Sequence, residues 1–68
     1  MEHVLSKTIL ITRVTELIAK YESISISEAR DKLYSSDVIN LIDDDETGLY
    51  GESPLYIYSI YENEKKKG

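Results

Sequence analysis

The feature that most constrains this chain is an apolar stripe near its start. Leu10, Val14, Leu17, Ile18 and Tyr21 fall at i, i+4, i+7, i+8 and i+11, one face of an α-helix. Ile9 and Ile11 widen that face. A competing signal runs through Thr8-Ile9-Leu10-Ile11-Thr12, whose β-branched residues favour a strand. Length decides for helix, because the stripe outlasts a typical strand of about 5–6 residues. Ser6 is the expected N-cap, and the helix is expected to run to about Glu22.

Whatever packs on that stripe must come from the rest of a chain of only 68 residues. A domain of that size buries only about 60–65% of the surface its unfolded chain exposes. Small domains compensate with disulfides, metals or association. The chain has no Cys, so disulfides and thiolate zinc sites are excluded, and one His makes no ligand cluster. Self-association or docking on a partner is the remaining route, and a homo-oligomer is expected.

Downstream, the chain reads as further short helices. Ser23 to Ser25 is a break. Ser25-x-x-Glu28 fits a capping box, followed by Ile26, Ala29, Leu33 and Tyr34 at helical spacing. This helix should end near Ser35. Ser36 would cap a third, with Asp37 at its positive dipole end and Val38, Leu41 and Ile42 buried. Asp43 to Gly51 is a polar loop with glycines. Ser53-Pro54 then starts a last helix, with Pro at the first helical position. Ile57, Ile60, Tyr61 and Glu64 share one side of it, and Leu55 and Tyr58 another. Tyr56, Tyr58 and Ile60 also alternate as a strand would, so both forms stay open for 55–64, helix being preferred. The expected fold is all-α, a small bundle of three to four short helices. Residues 1–64 form the domain and 65–68 a charged C-terminal tail, with Glu62 to Gly68 frayed.

Charge narrows the function. Thirteen acids against eight bases give a net charge of −5, and Lys65, Lys66 and Lys67 hold three of those bases. Electrostatic binding of nucleic acid needs a cationic surface, so it is disfavoured. Only Lys7, Arg13, Lys20, Arg30 and Lys32 could build one. A ribbon-helix-helix reading of Thr8–Val14 as a DNA-reading strand fails because only Arg13 could contact base edges. The longest apolar run is Ile9-Leu10-Ile11, far below the ~20 residues of a membrane span. A cytoplasmic location is expected, without membrane or cofactor.

Candidate sites are few. From Asp43, half of a calcium loop appears: Asp43, Asp45 and Gly48 stand at positions 1, 3 and 6, but the bidentate Glu of position 12 is Pro54. A solvated acidic turn is the simpler reading, and no metal is expected. Asp43, Asp44, Asp45 and Glu46 lack the contrasting environments that separate the pKa values of a catalytic pair. His3 is the only imidazole, no phosphate-cradling glycine loop exists, and enzyme activity is not expected. The tyrosines are more informative. Tyr50, Tyr56, Tyr58 and Tyr61 lie within twelve residues, and Tyr joins a large apolar area to a polar tip. One helix cannot bury them all. Ile57 and Tyr61 are expected in the core, and Tyr50, Tyr56 and Tyr58 on a contact surface beside Asp43–Glu46.

These segments resemble a family of short uncharacterised bacterial proteins of about this length. The resemblance rests on Leu5-Ser6-Lys7, Ser27-Glu28-Ala29, Leu33-Tyr34-x-Ser36, and above all Thr47-Gly48-Leu49-Tyr50 followed by Ser53-x-x-Tyr56-Ile57. It implies no chemistry. Some members of that family lie beside genes for toxin-like transferases, so the resemblance implies a small antitoxin or regulatory partner. It also implies that Thr47, Gly48, Leu49, Tyr50, Ser53 and Tyr56 shape the turn and cap the last helix. The leading expectation is a non-catalytic protein–protein interaction module, antitoxin-like, with a basic protein partner. The alternative is a nucleic-acid-binding transcriptional regulator.

Overall fold

The computed structural model describes residues 4–67. His3 therefore lies outside the described residues. Four α-helices follow one another: α1 (Val4–Glu22), α2 (Ile26–Tyr34), α3 (Val38–Asp43) and α4 (Pro54–Lys67), with a single 3-10 turn at Leu49–Gly51 before α4. No strand occurs among the described residues, so the all-α expectation holds and residues 55–64 are helical.

Helix α1 is the spine, and α2 and α4 pack along it. Leu10, Val14 and Ile18 form its buried line, as the spacing predicts. Tyr21 departs from that line and is largely exposed, and Leu17 sits at the edge. Thr15 and Ala19 are buried instead. Small side chains let neighbouring backbone approach, and the Thr15 hydroxyl is satisfied inside the helix by donating to the Ile11 carbonyl at 2.7 Å. Ser6 lies inside α1 (Val4–Glu22) and is therefore not its cap; no Gly or Pro breaks the chain between Val4 and Ser6.

The helix ends through a residue of unusual geometry. Ser23 adopts φ 57°, the left-handed region. The Ile24 N–H then reaches back to the Ala19 carbonyl at 3.1 Å, the outer hydrogen bond of a Schellman motif. Ile24 follows as the apolar residue that folds against the core.

Ser25 caps α2 as expected, its Oγ accepting from the Glu28 N–H at 3.1 Å. The Glu28 carboxylate meets the Ser25 hydroxyl at 3.5 Å. Ala29 and Leu33 are buried, while Ile26 and Tyr34 remain exposed. Ser36 serves the end of α2 rather than the start of α3: its Oγ donates to the Leu33 carbonyl at 2.7 Å. Asp37 occupies the N-cap of α3 without a side-chain cap bond. Its N–H donates instead to Glu64 Oε1 on α4 at 2.9 Å. In α3, Val38 and Ile42 point inward at i, i+4. Leu41 is exposed, contrary to expectation, because six residues make under two turns and only one edge of so short a helix meets the core.

Ser53 caps α4, accepting from the Tyr56 N–H at 3.2 Å, and Pro54 takes the first helical position. Ile57 and Tyr61 join the core. The expected frayed end is helical through Lys67, since Glu64 and Lys65 both have distant partners. The fully buried centre is Val14, Ile18, Leu33, Val38, Ile42 and Ile57, drawn from all four helices.

Candidate functional site

The acidic segment is built as a compact turn on the end of α3. The Asp44 Oδ1 accepts from the Glu46 N–H at 2.9 Å, an Asx turn. Thr47 Oγ1 stands 2.7 Å from the Leu41 carbonyl and 2.9 Å from the Asp44 carbonyl, and accepts from the Leu49 N–H at 3.2 Å. One hydroxyl thus closes the helix end and opens the next turn. Gly48 follows at φ 66°, a conformation that costs an L side chain and suits glycine. Thr47 and Gly48 thus lie within the turn, and Ser53 stands at the start of α4.

The carboxylates do not act as one group. Lys7 on α1 donates to the Asp43 carbonyl at 2.8 Å and pairs with Asp45 Oδ1 at 2.6 Å, with Asp43 Oδ1 at 3.8 Å. The same ammonium lies over the Tyr50 ring, 5.8 Å from its centroid. The hydrogen bond to Asp45 holds the Lys7 ammonium above the usual lysine range; desolvation opposes this, and Coulombic attraction to Asp45 and Asp43 adds to it. Asp44 and Glu46 form no ion pair among the described residues and stay exposed. No three acidic or imidazole side chains among the described residues converge as metal ligands.

The tyrosines separate into three environments. Tyr56 is 49% exposed. Tyr50 is half-buried beneath Lys7. Tyr58 is half-buried and stacked between Tyr21, at 5.2 Å between centroids, and Tyr61, at 6.1 Å. Burial pushes the Tyr58 phenol above its ordinary value, helped by the neighbouring Glu62 carboxylate. Of the expected contact surface, Tyr56 projects outward and Tyr58 serves the packing of α4 on α1.

One residue that the sequence does not single out organises the other end of the bundle. Glu22, in the last turn of α1, accepts from Lys32 on α2 at 2.9 Å through Oε1. Its Oε2 accepts from Lys65 at 2.9 Å and from the Tyr61 hydroxyl at 3.3 Å, both on α4. The Glu22 side chain is only 12% exposed. Desolvation would raise its pKa, but hydrogen bonds and charge from Lys32 and Lys65 outweigh this and hold it below the usual glutamate value. No local pattern announces such a site, because its partners lie 10 and 43 residues away.

Depressions on the surface lie along the outward side of α1. One groove, of about 370 Å³, is lined by Arg13, Leu17, Lys20, Pro54 and Leu55 among others. Another, of about 210 Å³, lies between α1 and α2 beside Ile11, Ile26, Arg30 and Tyr34. No helix among the described residues is long and apolar enough to cross a membrane.

No family model, curated protein or solved structure matches this chain.

Proposed function

We propose that the chain is a non-catalytic protein–protein interaction module whose partner presents a basic surface, in the manner of a small antitoxin. The observation that carries this reading is how the charges are divided. Lys7, Lys32 and Lys65 are each engaged by carboxylates within the fold. Asp44 and Glu46 are left outward on a turn whose backbone is fixed by Thr47 and Gly48. An outward acidic edge of this kind steers a cationic partner and suppresses wrong ones. Exposed apolar side chains supply contact area nearby in sequence: Leu41 precedes the turn and Tyr56 follows it. The same division weakens the nucleic-acid alternative, because two of the five residues that could form a basic face, Lys7 and Lys32, are already paired.

The test is affinity capture from a lysate of the source organism, with proteins identified by mass spectrometry. The control is the variant Asp44→Asn/Glu46→Gln/Tyr56→Ser, which spares every buried contact. A basic protein retained by the native chain, released by salt and lost with the variant is the expected result. Retention of nucleic acid, or of the same proteins by both forms, would refute the reading.

A further inference from the structure

The outward face of α1 carries a pattern that the bundle does not use. Ile9, Arg13, Glu16 and Lys20 fall at i, i+4, i+7 and i+11, one stripe along the helix. All four are exposed, Ile9 by 49%. Neither Arg13 nor Glu16 has an ion-pair partner among the described residues. Lys20 has only the Tyr21 ring, 6.0 Å away. Leu17 and the 60%-exposed Leu55 line the groove beside the stripe.

The stripe is symmetric about a point between Val14 and Thr15. Turned end for end and laid on itself, it sets Arg13 of one helix against Glu16 of the other, twice. It also sets Ile9 against the aliphatic stem of Lys20, twice. We propose that this face is the interface of an antiparallel dimer of the chain, formed by α1 packing on α1 of a second copy about a twofold axis. Such an isologous contact needs a self-complementary patch, and alternating signs at these spacings provide one.

Charge favours a second copy as the occupant. The chain carries −5, so two copies repel over most of their surfaces. On this stripe Arg13 of each copy meets Glu16 of the other, and these two opposite-charge pairs offset that repulsion locally. A standard interface takes about 800 Å² from each partner. The contact therefore extends beyond the stripe into the groove, where the ridge of one helix can seat against Leu17 and Leu55 of the other. This surface uses other side chains than the acidic turn, so dimer formation leaves Asp44 and Glu46 free for a partner.

Sedimentation equilibrium on the full chain, from micromolar to millimolar concentration, tests the proposal. The native protein is expected to dimerise. Arg13→Glu and Glu16→Arg, each turning two attractions into two repulsions, should each weaken the dimer roughly tenfold or more, the equivalent of ~1.4 kcal/mol. The double variant Arg13→Glu/Glu16→Arg should restore native association. Both residues are solvent-exposed, and unchanged circular dichroism would confirm folding in every variant. A monomer throughout the range would overturn the proposal, and so would a dimer indifferent to the single changes. A double variant as weak as the singles would overturn the pairing of Arg13 with Glu16.

Discussion

Two charged residues of α1 tie the two ends of the bundle together, and they do so differently. At one end Glu22, largely shielded from water, collects Lys32, Lys65 and the Tyr61 hydroxyl from two other helices. At the other end Lys7 reaches a turn whose Asp43 and Asp45 side chains are 84% and 65% exposed. Both are ion-pair hubs on paper. Water makes them unequal, because exposed pairs contribute only about 0–1 kcal/mol and are screened by salt. A shielded carboxylate with charged donors contributes more, about 1.5–3 kcal/mol per hydrogen bond at best. Lys32 and Lys65 are themselves half exposed, which places Glu22 at the lower part of that range. The Glu22 end thus fixes the helices, and the Lys7 end only orients the turn that bears Asp44 and Glu46.

The strongest challenge to this contrast is a hole in the core the two ends share. Ile18 is fully buried, one helical turn before Glu22. Ile18→Ala should cost about 2–5 kcal/mol, enough to populate the unfolded state of so small a domain in urea melts. Both ends should be lost in one transition. Glu22→Gln should cost about 1 kcal/mol, because the partly shielded carboxylate loses its charge while Lys32 and Lys65 keep theirs.

The same residue sets the acid limb of stability. The folded-state pKa of Glu22 lies below its unfolded value of about 4.5. Its contribution is therefore full above pH 4.5 and is lost as pH falls through the lower folded value. Glu22→Gln should flatten chemical-melt stability between pH 5 and 3 (order of magnitude from the carboxylate range). On the alkaline side the signs reverse. Tyr58 and Tyr61 are raised chiefly by burial, and Lys7 and Lys65 chiefly by their carboxylate partners. Their contributions are present below about pH 10 and fade as pH climbs through the raised values.

Two backbone positions sharpen the contrast further. Gly48→Ala should destabilise by about 1 kcal/mol, since φ 66° must be kept although no atom blocks the new methyl. Ser23→Gly should do the opposite and raise stability by about 0.5–1 kcal/mol, by relieving a left-handed serine at the end of α1. The smallest effect is expected of Lys7→Met, a marginal loss of stability that vanishes at high salt. Its trace should be amide shifts confined to residues 43–50.

What the sequence disclosed follows the range of the interactions. Local devices are legible: the Ser25 cap, the Ser53-Pro54 start and the left-handed Gly48 each lie within four residues of what they satisfy. Leu10, Val14 and Ile18 are readable from period alone. Tyr21 and Leu41 are misplaced by the same rule, because periodicity marks an apolar stripe without saying how much of it the rest of a short chain can cover. Ser36 has a cap's identity, yet the hydrogen bond it makes belongs to the preceding helix. Glu22 is not legible at all. It looks like any terminal glutamate until α2 and α4 bring Lys32 and Lys65 to it, and that also turns an apparently frayed tail into the last turns of α4. The outward stripe of α1 was hidden by the inward one, since both share the same helix.

The most direct test of the account is native-state hydrogen exchange at pH 6 on the labelled chain. The account predicts that the amides of Ile24 and Tyr61, around Glu22, exchange only with global unfolding, while those of Gly51 and Glu52, beyond the Lys7 turn, exchange through smaller openings at least tenfold faster. Equal protection at the two ends, or greater protection at Gly51 and Glu52, would contradict it.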